Sequence, residues 1–496
     1  MAELLQNIQN RLDDPSIPYQ KVVLIVLLSV SAFESFIGSR QKPYLDPVRF
    51  PNLPSALRPF LTSPDAQDTY RKSQSYARHK LSFSSVTGII GLLQTFILLT
   101  NLSLPVLSRY NIPIPTPLTR ATAGNWTLLK GFWDLAAKVP GVKGTGSELR
   151  QTASFIAIMN LLGTVLSVPE GLYKNFVLEE KHGFNKMTYG TFVKDLFKGL
   201  ALSFALEIPL STALVALIHW VGNDAILRLL AWVLGFSFAL VLIMVPLGPL
   251  VIMPLFNTFT PLSEDSPVYE KGTTLAKRVG FPVDRIYVID GSKRSSHSNA
   301  FVTGIPGFQK QIVIYDTLLE KATPDEVEAI LAHELAHWKF SHIIYLLITA
   351  LSQIAFSLSI FTLFLSNTSL LSSFGFNPTT SSVVSKIVSR QNTSVGPTVV
   401  SLFLASTLFS PLSAFLSFVT NSITRRLEYQ ADAFAVSLGK ETAENLKTAL
   451  IGIHEKNLAV YAVDPIYSAY NHNHPTLVER LEALDKGMVE EEKKTK

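Results

Sequence analysis

The sequence has 496 residues, of which 47% are hydrophobic and only 16% are charged, with a formal net charge of +5. Soluble domains carry about 25% charged residues, so much of the surface of this chain does not face water. The absence of cysteine excludes disulfides and thiolate metal sites, and the Lys and Arg residues form no basic run typical of a nucleic-acid-binding protein.

Seven hydrophobic segments follow one another along the chain. Most are close to the ~20 residues that cross a hydrocarbon core, although the first and third are short and the fifth is long. Prolines inside some of them are tolerated where neighbouring helices pack around the break. We therefore predict an α-helical polytopic membrane protein with transmembrane helices at Val22–Ile37, Thr87–Leu107, Ser154–Glu170, Phe192–Trp220, Ala225–Leu255, Ile343–Leu365 and Pro397–Thr420.

The distribution of Lys and Arg predicts which loops face the cytosol. The loops Gly38–Phe83 and Asn257–His342 are rich in basic residues, whereas Ser366–Gly396 holds only two. We expect the basic loops and the C-terminus in the cytosol and the N-terminus on the other side. Sequons for N-glycosylation fall in or beside the loops on that other side, at Asn101, Asn125, Asn367 and Asn392.

The loop between the fifth and sixth segments is long enough for a small α+β domain. Phe281–Asp290, Asn299–Thr303 and Gln311–Tyr315 contain short stretches typical of strands. The sequence TPDEVEAILAHELAHWKFSH follows, and its first residue, Thr323, pairs with Glu326 in the pattern of a capping box. The histidines of this sequence are therefore predicted to lie on a helix.

The motif His333-Glu334-Leu-Ala-His337 can bind a metal ion. Histidines four residues apart share one face of a helix, so both imidazoles can reach one Zn²⁺. The glutamate beside the first histidine can then activate the attacking water. A helix with two incidental histidines is the alternative interpretation of this pattern.

A third protein ligand is expected, because catalytic zinc keeps three protein ligands and one open position. Glu428 and Asp432 are one turn apart on a predicted helix after the seventh segment. One carboxylate can bind the metal while the other accepts a hydrogen bond from a ligand histidine. Asn421 and Arg425 have the same spacing on this helix. By itself the segment could also be an ordinary solvated helix.

Further downstream, His474 and Arg480 could stabilise the oxyanion of a tetrahedral intermediate. A polar loop with Pro475 in the first turn of a following helix explains the same residues equally well. His297 and His342 are further candidates, but single histidines are more often structural or exposed.

These motifs together resemble the type I CAAX prenyl proteases, a family of eukaryotic membrane zinc endopeptidases. The resemblance covers most of the chain. It is carried by a segment around Lys80, EKHGFNKMT (Glu180–Thr188), PLFNTFTPL (Pro254–Leu262), SSHSNAFVTG (Ser295–Gly304), HELAHW (His333–Trp338), NSITRRLEYQADAFA (Asn421–Ala435) and HPTLVER (His474–Arg480). The family commonly has Gly where Ala336 stands and Ser where Asn473 stands, and neither difference removes a ligand.

The resemblance implies seven helices that enclose an intramembrane chamber, a small cytosolic α+β protease domain and one zinc ion per chain. It implies roles for residues that match the family motifs. These are zinc ligands at His333, His337 and Glu428, a general base at Glu334, a residue that orients a ligand at Asp432, substrate or oxyanion contacts at His474 and Arg480, and pairing with the substrate backbone at Asn299 and Ala300. From their spacing on the helix of Glu428, we also expect Asn421 and Arg425 to orient the ligands.

The resemblance also implies the reaction and the partners. The expected partners are the lipid bilayer and a farnesylated CaaX protein, which loses its C-terminal aaX tripeptide and is cut a second time nearer its N-terminus. The expected location is the endoplasmic reticulum membrane, with the inner nuclear membrane as a second compartment. The C-terminal Lys493-Lys494-Thr495-Lys496 is either a retrieval signal for that compartment or a solvated charged tail.

We expect four regions and keep two other functions open. The regions are 1–256 with five transmembrane helices, 257–342 with the strands and the HExxH helix, 343–420 with two further transmembrane helices, and 421–496 with the third ligand. A general quality-control membrane protease is the alternative within enzymes, although related bacterial enzymes are shorter. A transporter or an inactive binding scaffold is the alternative of another class.

Overall fold

The computed structural model describes residues 2–61, 64–100, 126–142, 147–221, 226–283, 285–303, 310–365, 367–376 and 397–495. The α-helices of these ranges are α1 (Ala2–Leu12), α2 (Tyr19–Gln41), α3 (Ala66–Leu99), α4 (Leu128–Ala136), α5 (Ser147–Tyr173), α6 (Tyr189–Val221), α7 (Ile226–Leu247), α8 (Met253–Phe256), α9 (Pro267–Val279), α10 (Asp316–Leu319), α11 (Pro324–Lys339), α12 (His342–Thr362), α13 (Thr368–Ser373), α14 (Thr398–Leu408), α15 (Ser410–Ser437), α16 (Lys440–Lys456), α17 (Pro465–Asn471) and α18 (Leu477–Thr495). Short 3₁₀ turns lie at Lys42–Leu45, Ser55–Leu57 and Gly291–Lys293, and π-helical turns at Lys174–Glu179 and Gly248–Ile252.

In the described part of the chain, six helices are long and apolar enough to cross a membrane, and the number is seven if one bent helix pair is counted as a single span. The chain is therefore a multi-pass membrane protein, and the predicted helical membrane fold is confirmed. The six unbroken spans are Tyr19–Leu45, Ala66–Leu99, Glu148–Glu179, Tyr189–Val221, Leu227–Phe256 and His342–Thr362. The predicted span ends Leu107 and Ala225 and the sequons Asn101, Asn125 and Asn392 lie outside the described residues.

The second span begins 21 residues before its predicted start at Thr87, because α3 continues through a polar stretch that hydropathy does not detect. This N-terminal part of α3 is held by packing against the C-terminal part of the chain. Tyr70 is fully buried in a cluster with Tyr461 and Leu481, and the Ser73 hydroxyl donates to the Ala459 carbonyl at 2.9 Å. The helix thus links the membrane spans to the C-terminal helices.

The seventh span is bent rather than straight. Its two parts, α14 and α15, meet at an angle of 63°, and Pro411 occupies the first turn of α15, where the lack of an N–H costs nothing. Helix α15 then continues through Glu428 to Ser437. The predicted border at residue 420 consequently lies inside one continuous helix.

The four strands form one sheet in the order β1-β2-β4-β3, with β1 at Phe259–Pro261, β2 at Arg285–Ile289, β3 at Ala300–Thr303 and β4 at Gln311–Tyr315. The central pair β2 and β4 is parallel, and both outer pairs are antiparallel. Strand β3 lies at an edge of this sheet and packs against α11. The three strand predictions are confirmed in position, and β1 was not predicted.

One hydrophobic core unites the regions predicted as 257–342 and 421–496. It contains side chains of α9, α11 and the strands together with side chains of α15, α16 and α18. Gly272 permits close packing here, because a Cβ at this position would lie 3.0 Å from Ile286 and 3.3 Å from Leu331. The sheet, the HExxH helix and the C-terminal helices therefore form one compact body.

Asn367 does not have the exposed position that a glycosylation acceptor needs. Its side chain is buried and caps α13, where Oδ1 accepts from the backbone N–H of Leu370 at 2.6 Å and Nδ2 donates to the Leu12 carbonyl at 2.8 Å. The Asn-x-Ser pattern at this position therefore reflects a helix cap.

Candidate metal centre

The HExxH motif lies on helix α11. The local sequence of this helix explains where it begins and which side faces the core. Thr323 and Glu326 form the predicted capping box, and Pro324 occupies the first turn. The apolar side chains of this helix, including Leu331 and Leu335, are buried in the common core. The helix is therefore fixed on its apolar side and presents the histidines on another.

His333, His337 and Glu428 lie together. Each offers a ligand atom, and these atoms lie within 4.8 Å of one another. His333 Nε2 is 3.3 Å from His337 Nε2 and 3.4 Å from Glu428 Oε2, and His337 Nε2 is 3.5 Å from Glu428 Oε1. Glu428 is buried, and its Oε2 lies 3.4 Å from His333 Nε2 and 2.8 Å from His474 Nδ1. A buried carboxylate oxygen beside two imidazoles fits a cation between them.

His333 is held by an ion pair on its other ring nitrogen. Its Nδ1 lies 2.8 Å from Asp432 Oδ1, and Arg480 donates to both oxygens of Asp432, at 2.9 Å from Nε and 2.6 Å from Nη2. Burial opposes protonation of His333, but hydrogen bonds to Asp432 and Glu428 outweigh it and raise the pKa of His333 to about 9. Asp432 thus has the position expected for a residue that orients a ligand.

His337 is held by neutral groups instead. Its Nδ1 lies 2.9 Å from His342 Nδ1, and His342 Nε2 lies 3.1 Å from Gln430 Oε1. Burial lowers the pKa of His337 to about 4, so the ring is neutral, as a metal ligand must be. Sequence analysis gave His342 little weight and did not consider Gln430. The sequence features that could have identified them are a histidine five residues after His337 and a polar side chain two residues after Glu428.

Glu334 lies between the two ligand histidines in the sequence and is partly buried. Burial raises the pKa of its carboxyl group. A more basic carboxylate accepts a proton from water more readily, which is what a general base has to do.

His474 and Arg480 occupy different positions at the centre. His474 Nδ1 lies 2.8 Å from Glu428 Oε2, and its side chain remains 56% exposed, so it can contact a substrate. Arg480, whose side chain is 12% exposed, is bound to Asp432, and its Nη2 lies 3.3 Å from His333 Nδ1. Of the two residues proposed for the oxyanion, His474 is therefore the more accessible.

The contacts of Asn421 and Arg425 differ from those expected of residues that orient the ligands. Asn421 Nδ2 donates to the Tyr470 carbonyl at 2.6 Å. Arg425 donates to Ser468 Oγ at 3.1 Å and to both oxygens of Glu479 at 2.9 and 3.0 Å. Asn421 lies two turns and Arg425 one turn before Glu428 on α15, and their side chains reach the segment around α17 instead. This segment leads to His474, which the two residues thus help to place.

Asn299 and Ala300 lie at the start of the edge strand β3. The Asn299 carbonyl accepts from the Tyr315 N–H at 3.0 Å, and its side-chain Oδ1 accepts from the Ala300 N–H at 2.9 Å. Asn299 is exposed and Ala300 is buried. Strand β3 packs against α11, the helix that carries His333 and His337.

Comparisons with known proteins cover nearly the whole chain. Residues 263–487 match the model of peptidase family M48, and residues 49–258 match that of the CAAX prenyl protease N-terminal region with five membrane helices. The chain is 35% identical to CAAX prenyl protease 1 of Saccharomyces cerevisiae over 97% of this chain and 98% of that protein. It is 30% identical to the CAAX prenyl protease 1 homolog of Homo sapiens over 93% and 94%.

A solved structure is similar as well. The crystal structure of S. mikatae Ste24p matches with a TM-score of 0.79 and 34% identity, over 95% of this chain and all of that one.

Proposed function

The chain belongs to the CAAX prenyl protease family within the M48 peptidases, and on that premise we propose that it is a zinc endopeptidase that removes the aaX tripeptide from prenylated CaaX proteins. A second cleavage of the same substrate, nearer its N-terminus, is part of the proposal. The observation that carries it is the convergence of His333, His337 and Glu428 around one point.

The donor set supports zinc as the metal. Atoms that lie about 2.0–2.1 Å from a tetrahedral Zn²⁺ are about 3.3–3.4 Å apart. The three separations between the ligand atoms, 3.3, 3.4 and 3.5 Å, fit this geometry. Two imidazoles and one carboxylate also leave a fourth position open, as catalytic zinc sites do. When bound, zinc polarises the scissile carbonyl and lowers the pKa of water toward about 7.

The side chains of the chain supply the remaining steps. Glu334 takes the proton of the attacking water and passes it to the leaving amine, and its raised pKa favours this transfer. Asp432 and His342 hold the two ligand imidazoles in the tautomers that direct Nε2 toward the metal. His474, accessible and next to Glu428, donates to the developing oxyanion.

The substrate peptide adds to the edge of the sheet. Among the described residues, strand β3 has a partner strand on one side only, so its other edge can pair with an extended peptide, with Asn299 and Ala300 nearest the reacting bond. A lipid on the substrate keeps it at the membrane, where this multi-pass chain lies. We assign the protein to the endoplasmic reticulum membrane with the metal centre on the cytosolic side.

The test is cleavage of a farnesylated CaaX peptide by the purified, detergent-solubilised protein, followed by mass spectrometry. We expect release of the aaX tripeptide, about one zinc per chain, loss of activity with a chelator and recovery with zinc. The variant Glu334→Gln should keep its zinc and lose about 10²–10⁴-fold in kcat.

Glu328→Gln is the matched control, because it makes the same change on the same helix at a residue that pairs with Lys271. It should cleave like the unaltered protein. Normal cleavage by Glu334→Gln would remove Glu334 from the mechanism, and activity that is indifferent to chelator would exclude metal catalysis.

A further inference from the structure

A cavity of about 1010 Å³ lies between the second and third membrane spans, α3 and α5. Its walls are mainly apolar. They include Val86 and Ile90 of α3 and Val165 and Leu166 of α5. Val86 is 55% and Val165 is 59% exposed, so these side chains are not packed against one another. Ligand sites in proteins have volumes of about 300–1,000 Å³, so the cavity is large enough for a long hydrocarbon chain.

The cavity is elongated and has a cationic end. The lining residues of α3 run from His79 to Gln94, a distance of about 22 Å along a helix that rises 1.5 Å per residue. At the His79 end, Lys181 Nζ lies 3.2 Å from His79 Nε2, and His79 Nδ1 lies 2.9 Å from His182 Nε2. This end is the one on the protease side, because the preceding turns of α3 pack against the C-terminal helices.

Aromatic rings connect the cationic end to the edge strand. The ring of His182 lies 4.8 Å from that of Tyr76, and Phe184 stacks on His297 at 4.2 Å. The backbone is joined as well, since the Phe184 carbonyl accepts from the Ser296 N–H at 3.2 Å. His297 precedes Asn299 by two residues, a distance of about 7 Å along an extended chain. The His79 end of the cavity therefore lies close to the start of β3, with this group of packed rings between the two.

We propose that this cavity binds the prenyl chain of the substrate while the peptide lies along β3. The inference rests on the proposed function. In a CaaX substrate the lipid is attached to the cysteine directly before the scissile bond, so the chain leaves the peptide beside Asn299 and Ala300. It passes the rings of Phe184 and Tyr76 and enters the cavity past His79. Burial of its hydrocarbon surface stabilises the complex.

A phospholipid of the bilayer is a competing occupant, because its phosphate could bind His79 and Lys181. The prenyl chain is favoured because the His79 end of the cavity lies on the side of β3, where the peptide part of the substrate is proposed to bind, whereas a phospholipid of the bilayer has no need of that strand. The experiment below distinguishes the two.

The direct test is photocrosslinking. The Glu334→Gln variant, which binds without cleaving, is irradiated with a CaaX peptide whose farnesyl chain carries a diazirine, and the adducts are located by mass spectrometry. We expect adducts within 79–94 and 163–181, suppressed by excess farnesylated peptide and unaffected by phosphatidylinositol vesicles. Adducts on other spans, or displacement by the phospholipid, would overturn the proposal.

The kinetic test fills the cavity. Val86→Trp and Val165→Trp should each raise KM for the farnesylated peptide about tenfold while zinc content is unchanged. A geranylgeranylated peptide, whose chain is longer, should lose more. Leu93→Trp is the matched control, because Leu93 lies on the same helix, is 53% exposed and does not line the cavity.

The outcomes separate the two proposals. If the unaltered protein cleaves no prenylated peptide, the proposed function fails, and the position of the crosslinks still decides where the lipid binds. If it cleaves normally and Val86→Trp has the KM of Leu93→Trp, the cavity assignment alone is wrong.

Discussion

The two ligand histidines of helix α11 are held in opposite ways. His333 contacts a buried carboxylate, Asp432, which is itself paired with Arg480. His337 contacts a neutral chain, first His342 and then Gln430. The first arrangement carries full charges and depends on both members being present, whereas the second carries none. One ligand is thus positioned mainly by electrostatics and the other by hydrogen-bond geometry.

The largest effect is expected from Asp432→Ala, which removes the carboxylate and leaves Arg480 buried without its partner. Breaking a buried ion pair costs about 3–5 kcal/mol. We expect a lower free energy of unfolding and loss of zinc in the same variant, measured by thermal denaturation and by metal analysis.

Asp485→Ala is the control for Asp432→Ala, because it breaks the more exposed pair with Lys447. Such a pair contributes about 0–1 kcal/mol. If both variants were equally stable and both retained zinc, the charged support of His333 would be unimportant.

His342→Ala should have a smaller effect that falls on the metal alone. His337 Nδ1 then loses its acceptor, and removal of such a partner lowers metal affinity about 10–100-fold. A competitive chelator titration measures this directly. His342→Asn places an amide oxygen that can accept from Nδ1 and should recover most of the affinity. A merely structural role of His342 would give no such recovery.

Protonation distinguishes the two ligands in the metal-free protein. With pKa values of about 9 and about 4, His333 is protonated at pH 7 and His337 is neutral. Zinc must displace the proton from His333, so affinity should rise about tenfold per pH unit up to about pH 9 and then level off. Calorimetry in buffers of different ionisation enthalpy should count one released proton at pH 7. A count of two would contradict the neutral state of His337.

The smallest effect is expected from Gln430→Ala. Gln430 acts on His337 only through His342, and one neutral hydrogen bond contributes about 0.5–1.5 kcal/mol. Zinc affinity should therefore fall only several-fold in the same chelator titration. An effect larger than that of His342→Ala would mean that Gln430 acts by another route.

Local patterns predicted the parts of the centre that lie on single helices. The spacing of His333 and His337 and the capping box of Thr323 needed only helical geometry. Glu428 and Asp432 were found as a pair for the same reason, and the resemblance to a family distinguished their roles. The position of these residues beside His333 was beyond local pattern, because it depends on packing of α15 against α11 in the common core.

The contacts that the sequence did not predict depend on the path of the chain between helices. His342 returns to His337 because Ser341 adopts a left-handed conformation with φ of 56°, which no sequence rule identifies at a serine. Asn421 and Arg425 were assigned by their spacing, yet α17 lies closer to them than the ligands do. The start of α3 at Ala66 was missed because hydropathy identifies only the apolar part of a helix, and the first turns of α3 are polar.

Only Phe340 and Ser341 separate the helix that bears the metal ligands from the membrane span α12. So short a connection fixes the distance of His333 and His337 from the membrane and allows α11 little movement relative to α12. A peptide bond close to the lipid anchor of the substrate lies at the same distance from the bilayer as the metal centre. A bond far from the anchor has to move toward the membrane before it can be cleaved. The distance of a peptide bond from the bilayer therefore helps to determine whether the enzyme can cleave it.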